Sequence, residues 1–67
     1  MQTKLGHRLK ELRTQRNISQ EQFAKLIDMD RSYYASIEEG RRNVTLRNLA
    51  KIADGFGITL SELFDGV

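Results

Sequence analysis

With 67 residues, no cysteine and a single histidine, the chain has room for one domain (1–67) and lacks the ligands for a disulfide framework or an ordinary zinc site. It has no apolar run near the roughly 18 residues of a membrane span and no leader with a basic start and an apolar stretch, so a cytoplasmic protein is expected. The net charge of +2 is unevenly laid: residues 1–18 (Lys4, Arg8, Lys10, Arg13, Arg16, Glu11) and 31–47 (Arg31, Arg41, Arg42, Arg47, Glu38, Glu39) are basic, whereas 19–30 and 48–67 are acidic, a dipolar pattern suited to orientation on a polyanion.

Proline is absent, and nothing alternates with the period of a strand. Leu5, Leu9 and Leu12, at i, i+4 and i+7, predict a first helix over about 3–16, stopped by Asn17, which tolerates the left-handed conformation. Ser19 and Gln22 form a capping box for a second helix over 19–27, with Phe23, Ala24 and Ile27 inward. After the short turn at Asp28-Met29-Asp30, the Asp30 carboxylate caps a third helix over 31–39 that Gly40 ends. Tyr34 and Ile37 face inward from it. Tyr33, about 100° away around the helix, points outward.

Thr45 caps a fourth helix, with Leu46, Leu49, Ala50 and Ala53 as its inner stripe, Phe56 near its end and Gly57 as its stop. Thr59 and Glu62 form a second capping box, opening a short fifth helix with Leu60, Leu63 and Phe64. Helices two and three, joined so tightly, must cross steeply, which exposes the N-terminal half of the third. In a helix-turn-helix, that half enters the major groove.

Ser19-Gln20-Glu21-Gln22-Phe23-Ala24, Met29-Asp30-Arg31-Ser32-Tyr33 and Ile37-Glu38-Glu39-Gly40-Arg41-Arg42-Asn43 resemble the Cro/phage-repressor (XRE-type) helix-turn-helix family. The similarity runs from Leu5 to Phe64. Within that family the chain is most similar to the small controller proteins of restriction–modification systems, through Asp30-Arg31-Ser32-Tyr33 and Arg42-Asn43. The resemblance implies an all-α, compact five-helix, lambda-repressor-like DNA-binding domain with its helix-turn-helix at helices two and three. Two residues depart from the common pattern. Asp28 stands where glycine usually makes the turn, and Tyr34, where a branched aliphatic is usual, must find a partner for its hydroxyl or reach solvent.

The expected DNA base contacts are Arg31, Ser32, Tyr33 and Ser36. Arg31 opens helix three, and its guanidinium can fork onto guanine O6 and N7, where the bland alternative is a solvated or phosphate-bound arginine. The serines can meet any base edge. The expected phosphate contacts are Gln20, Arg41, Arg42, Asn43, Thr45 and Asn48. Gln20 sits at the first turn of helix two, where amide hydrogens and the helix dipole favour an anion; its role rests largely on the resemblance. Arg41, Arg42 and Asn43 form a basic loop beside the recognition helix. Arg47 is a weaker candidate. By resemblance, Arg13 and Glu38 form a structural ion pair.

One such module buries only about 600–1,000 Å² against DNA, so a homodimer is expected, with Ile58, Leu60, Phe64 and Val67 at its interface. No catalytic set, metal cluster or phosphate-cradling loop is present, and neither a cofactor nor a small-molecule ligand is expected. The function read here is a transcriptional regulator that binds a double-stranded DNA operator as a dimer, in a bacterial or phage setting at the nucleoid. The alternative is an antitoxin that autoregulates its operon, against which the reading expects no toxin-wrapping extension beyond helix five.

Overall fold

The computed structural model describes residues 2–67 as five helices: α1 (Gln2–Gln15), α2 (Gln20–Leu26), α3 (Arg31–Glu38), α4 (Leu46–Phe56) and α5 (Leu60–Leu63). Each N-terminus from α2 onward is held by the residue type its sequence supplies. Ser19 and Thr59 form complete capping boxes with Gln22 and Glu62. The Asp30 carboxylate accepts from the Tyr33 amide at 2.9 Å, and Thr45 Oγ1 accepts from the Asn48 amide at 3.2 Å. Hydrogen bonds from the Thr59 backbone and side chain hold the Glu62 carboxyl below its ordinary pKa.

The first four helices all end in one device. Asn17, Asp28, Gly40 and Gly57 have positive φ, from 54° to 76°. After each of them, the next amide reaches back to the helix, in the pairs Ile18 to Arg13, Met29 to Ala24, Arg41 to Ser36 and Ile58 to Ala53. This is the Schellman closure of orphan carbonyls, often completed by an apolar residue at the reaching position. Three of the four reaching residues are apolar, and Ile18, Met29 and Ile58 all pack against the core. The turn of the helix-turn-helix therefore survives the loss of its usual glycine. Asp28 adopts the left-handed conformation at some cost, and Lys51 donates to its carbonyl at 3.1 Å.

The inner faces meet in one core of Leu5, Leu9, Leu12, Phe23, Ala24, Ile27, Tyr34, Ile37, Leu49, Ile52, Ala53, Phe56 and Leu63. Phe23 lies at its centre, stacked on Phe56 at 4.1 Å between centroids and tilted against Tyr34 at 5.2 Å. Two glycines set the approach of helices: a Cβ on Gly6 would come within 2.3 Å of the Glu38 carbonyl oxygen, and one on Gly55 within 2.3 Å of Ile27 Cγ2. Side chains at these positions would push α1 from α3, or α4 from α2. Arg8 of α1 and Arg16, just past its end, close the far ends of other helices. Arg8 donates to the carbonyls of Glu62 and Leu63, and Arg16 donates to that of Phe56 while lying over its ring.

The stripe expected on α4 needs correction. Leu46 is 70% exposed and Ala50 half-buried, whereas Ile52 is fully buried. Leu46 occupies the first position of the helix, where no neighbouring element covers it.

Candidate nucleic-acid interface

Arg31 and Ser32 open α3 and are both exposed. Asp30 uses its carboxylate to cap the helix, and Arg31 forms no ion pair or hydrogen bond among the described residues. Its guanidinium is therefore free to fork onto an acceptor pair. Behind it, the opposite face of α3 is locked into the core by Tyr34 and Ile37, both at 1% exposure or less.

The C-terminal end of α3 is fixed by the pair expected from the resemblance. Arg13 Nε donates to Glu38 Oε2 at 2.7 Å and Nη2 to Oε1 at 3.1 Å, while Nη1 holds the Ile18 carbonyl at 2.8 Å. The two side chains are 11% and 3% exposed. Burial pushes the Glu38 carboxyl up, but hydrogen bonds from Arg13 and Gln20, with the Tyr34 phenol close by, outweigh it and hold its pKa below the ordinary range. The Glu38 hydrogen bond raises Arg13 against the opposing effect of burial. The phenol of Tyr34 sits beside this pair and makes no hydrogen bond of normal geometry. Burial first, then the neighbouring carboxylate, pushes its pKa far up, so it stays neutral. The partner that its hydroxyl required is met only by proximity to Glu38.

Gln20 joins the same cluster. Its Nε2 donates to Glu38 Oε1 at 3.0 Å, so the side chain is aimed by α3 and not loose in solvent. One amide hydrogen and the carbonyl oxygen remain for DNA. Ser36 donates its hydroxyl to the Tyr33 carbonyl at 2.6 Å, leaving only lone pairs for a base edge.

Tyr33 departs from its expected outward position. It is half-buried against the core, its hydroxyl accepts from Asn48 Nδ2 at 3.1 Å, and Arg42 lies 5.7 Å from its ring centroid. Three candidates assigned separately in the sequence thus form one cluster of α3, the loop and α4. Arg41 pairs with Glu39 at the exposed surface, and Asn43, exposed in the same loop, is itself engaged in a contact. The Thr45 hydroxyl accepts its capping bond and keeps a proton to donate.

Ile58, Leu60, Phe64 and Val67 are half-buried residues on the rim of the core around α5. Among the described residues, Leu26 and Leu46 are the large apolar residues left exposed, at 65% and 70%.

The helix-turn-helix family model matches residues 9–63. The chain belongs to the helix-turn-helix family. Among curated members of this family, it is 57% identical over 65 residues to "Control protein C.MunI" of Mycoplasma sp, covering 96% of this chain and 88% of that protein. Among solved structures, it superposes at a TM-score of 0.91 and 48% identity on the restriction-modification controller protein C.AhdI from Aeromonas hydrophila. That match covers 94% of this chain and 96% of the other. At 28% identity and a TM-score of 0.87, it also matches the restriction-modification controller protein C.Esp1396I, solved as a tetramer in complex with its natural 35 base-pair operator (97% of this chain, 86% of the other). The five-helix, strandless fold expected from the sequence is the fold of these neighbours. No helix among the described residues is long and apolar enough to cross a membrane.

Proposed function

We propose that this helix-turn-helix protein is a sequence-specific transcriptional regulator that binds a two-fold double-stranded DNA operator as a homodimer, as a controller of a restriction–modification system. The observation that carries it is the free Arg31 at the exposed start of an α3 whose opposite face is locked by Tyr34, Ile37 and the Arg13–Glu38 pair. A recognition helix needs that combination: a reader on a rigid support, since a mobile helix would forfeit much of the discrimination. The likeness to C.MunI and C.AhdI supports the controller reading.

In this reading, Arg31, Ser32 and Ser36 face base edges. Gln20, Arg41, Arg42, Asn43 and Thr45 hold phosphates on either side. Ile58, Leu60, Phe64 and Val67 meet their counterparts in the second protomer, which sets two half-sites about 34–36 Å apart on one face of the duplex. The protein acts in the cytoplasm, at the nucleoid of a bacterium or of a phage host.

The test is selection of duplexes from a random pool. The expected product is a two-fold sequence with half-sites one helical turn apart, bound by two protomers. A pool that stays random after repeated rounds would overturn the reading.

A further inference from the structure

Tyr33 is the third residue of α3, and its ring leans on the edge of the core instead of projecting along the helix start with Arg31 and Ser32. Its hydroxyl is fixed from the side. Asn48, in the first turn of α4, donates Nδ2–H to the phenol oxygen at 3.1 Å. A phenol has one proton to give and lone pairs to receive. The Asn48 amide occupies a lone pair, so the O–H bond must swing away from α4 and is left without a partner inside the protein. The Tyr33 hydroxyl therefore has its proton available to a ligand outside the protein. Arg42, 5.7 Å from the ring centroid, places a cation over the π-face and hinders the ring from swinging towards the loop.

We propose that Asn48 is a positioning residue that aims the Tyr33 hydroxyl as a donor at one backbone phosphate, so that neither residue reads a base and Asn48 itself leaves DNA untouched. This rests on the DNA-binding reading above and revises the separate roles first given to the two residues. Tyr33 is tied to the α4 N-terminus and the basic loop, where Arg42, Thr45 and Arg47 gather cations and donors, and not to the exposed tip of α3. The free proton of the hydroxyl suits a phosphate, all of whose free oxygens accept. A base edge in the major groove presents donors and acceptors mixed.

The experiment is a double-mutant cycle on the selected operator, with Tyr33→Phe, Asn48→Ala and both together, read as Kd and as base preference. Tyr33→Phe should weaken binding about tenfold per protomer, the loss expected for a hydrogen bond to a charged group, equally for every operator variant. Asn48→Ala should cost a few-fold alone and nothing further in the Tyr33→Phe background. No charge is removed, so the salt slope should stay at its wild-type value. All variants should melt close to the wild type, since both side-chain groups are only part-buried. An operator with a single methylphosphonate at the contacted linkage should weaken the wild type and leave Tyr33→Phe unaffected.

Losses that multiply in the double variant would overturn the proposal, because Asn48 would then act on DNA by itself. A Tyr33→Phe loss confined to one base pair would also overturn it, by making Tyr33 a base reader. Either result leaves the DNA-binding reading standing, whereas a wild type that selected no duplex would remove both.

Discussion

Replacing Glu38 with alanine tests how far the recognition helix depends on a buried ion pair. The substitution leaves the Arg13 guanidinium, 11% exposed, facing an empty site, and strips the Gln20 amide of its acceptor. Breaking a buried pair from one side typically costs about 3–5 kcal/mol, because the surviving charge stays desolvated. A domain of this length has a total stability of roughly 3–10 kcal/mol. The change should lower the melting temperature by more than about 12 °C, at about 4–8 °C per kcal/mol, and can unfold the chain outright. Arg13→Met with Glu38→Leu removes both charges and should recover most of the loss, less what the Ile18 carbonyl and Gln20 forfeit as partners.

The same pair predicts an acid limb. The folded carboxyl of Glu38 titrates below its ordinary value of 4.5, so its contribution is complete above that pH and falls away as the pH drops through the depressed folded value. Glu38→Gln should flatten this limb. Thermal melts followed by circular dichroism, at one fixed protein concentration because any self-association would make the melting point concentration-dependent, measure all three variants. A Glu38→Ala protein within about 1 kcal/mol of wild type would refute the reasoning, since that is the size of an exposed pair.

Arg31→Ala should cost about 1–3 kcal/mol per half-site and relax preference at one base pair, while Arg31→Lys should restore more affinity than selectivity; binding-site selection with each variant decides it. Arg42→Ala should weaken all duplexes alike and lower the slope of log affinity against log salt by about one per protomer, which a salt titration reads. Leu60→Asp should shift the protein towards monomer in sedimentation at tens of micromolar, and a dimer unchanged by it would exclude α5 as the contact.

Much of the fold was legible because its signals are local. Four N-caps and four left-handed stops each lie within a few residues of the helix they bound, and Asp28 could be placed in the turn despite the missing glycine. The errors have physical causes. Leu46 fits the stripe of α4 by spacing, but periodicity does not reveal where a helix outruns its neighbours. Ile52 is fully buried on that same helix, one residue to the side of the stripe drawn. Ile18 and Met29 were passed over because an apolar residue after a helix looks like loop until its amide is seen closing the end. Within the candidate interface, Arg31 was readable from its position. The couplings of Gln20 with Glu38 and of Asn48 with Tyr33 join residues 18 and 15 apart, a separation at which local patterns carry no signal. Tyr33 was misplaced for a related reason: the helical wheel separates it from Tyr34, yet a large ring can still rest on the rim of the core.

The arginines of α1 and of the turn after it change what the charge of this chain means. Residues 1–18 look like a basic arm, yet Arg8 and Arg16 cap the carbonyl ends of other helices and Arg13 neutralises Glu38. Three of the five cations there are committed to holding the fold together. The net charge of +2 consequently does not say which face of the molecule carries the positive field. Two homologues of equal net charge could differ widely in attraction to nucleic acid according to which arginines face inward. Adding lysines to α1 would raise the isoelectric point without widening the surface that grips the duplex.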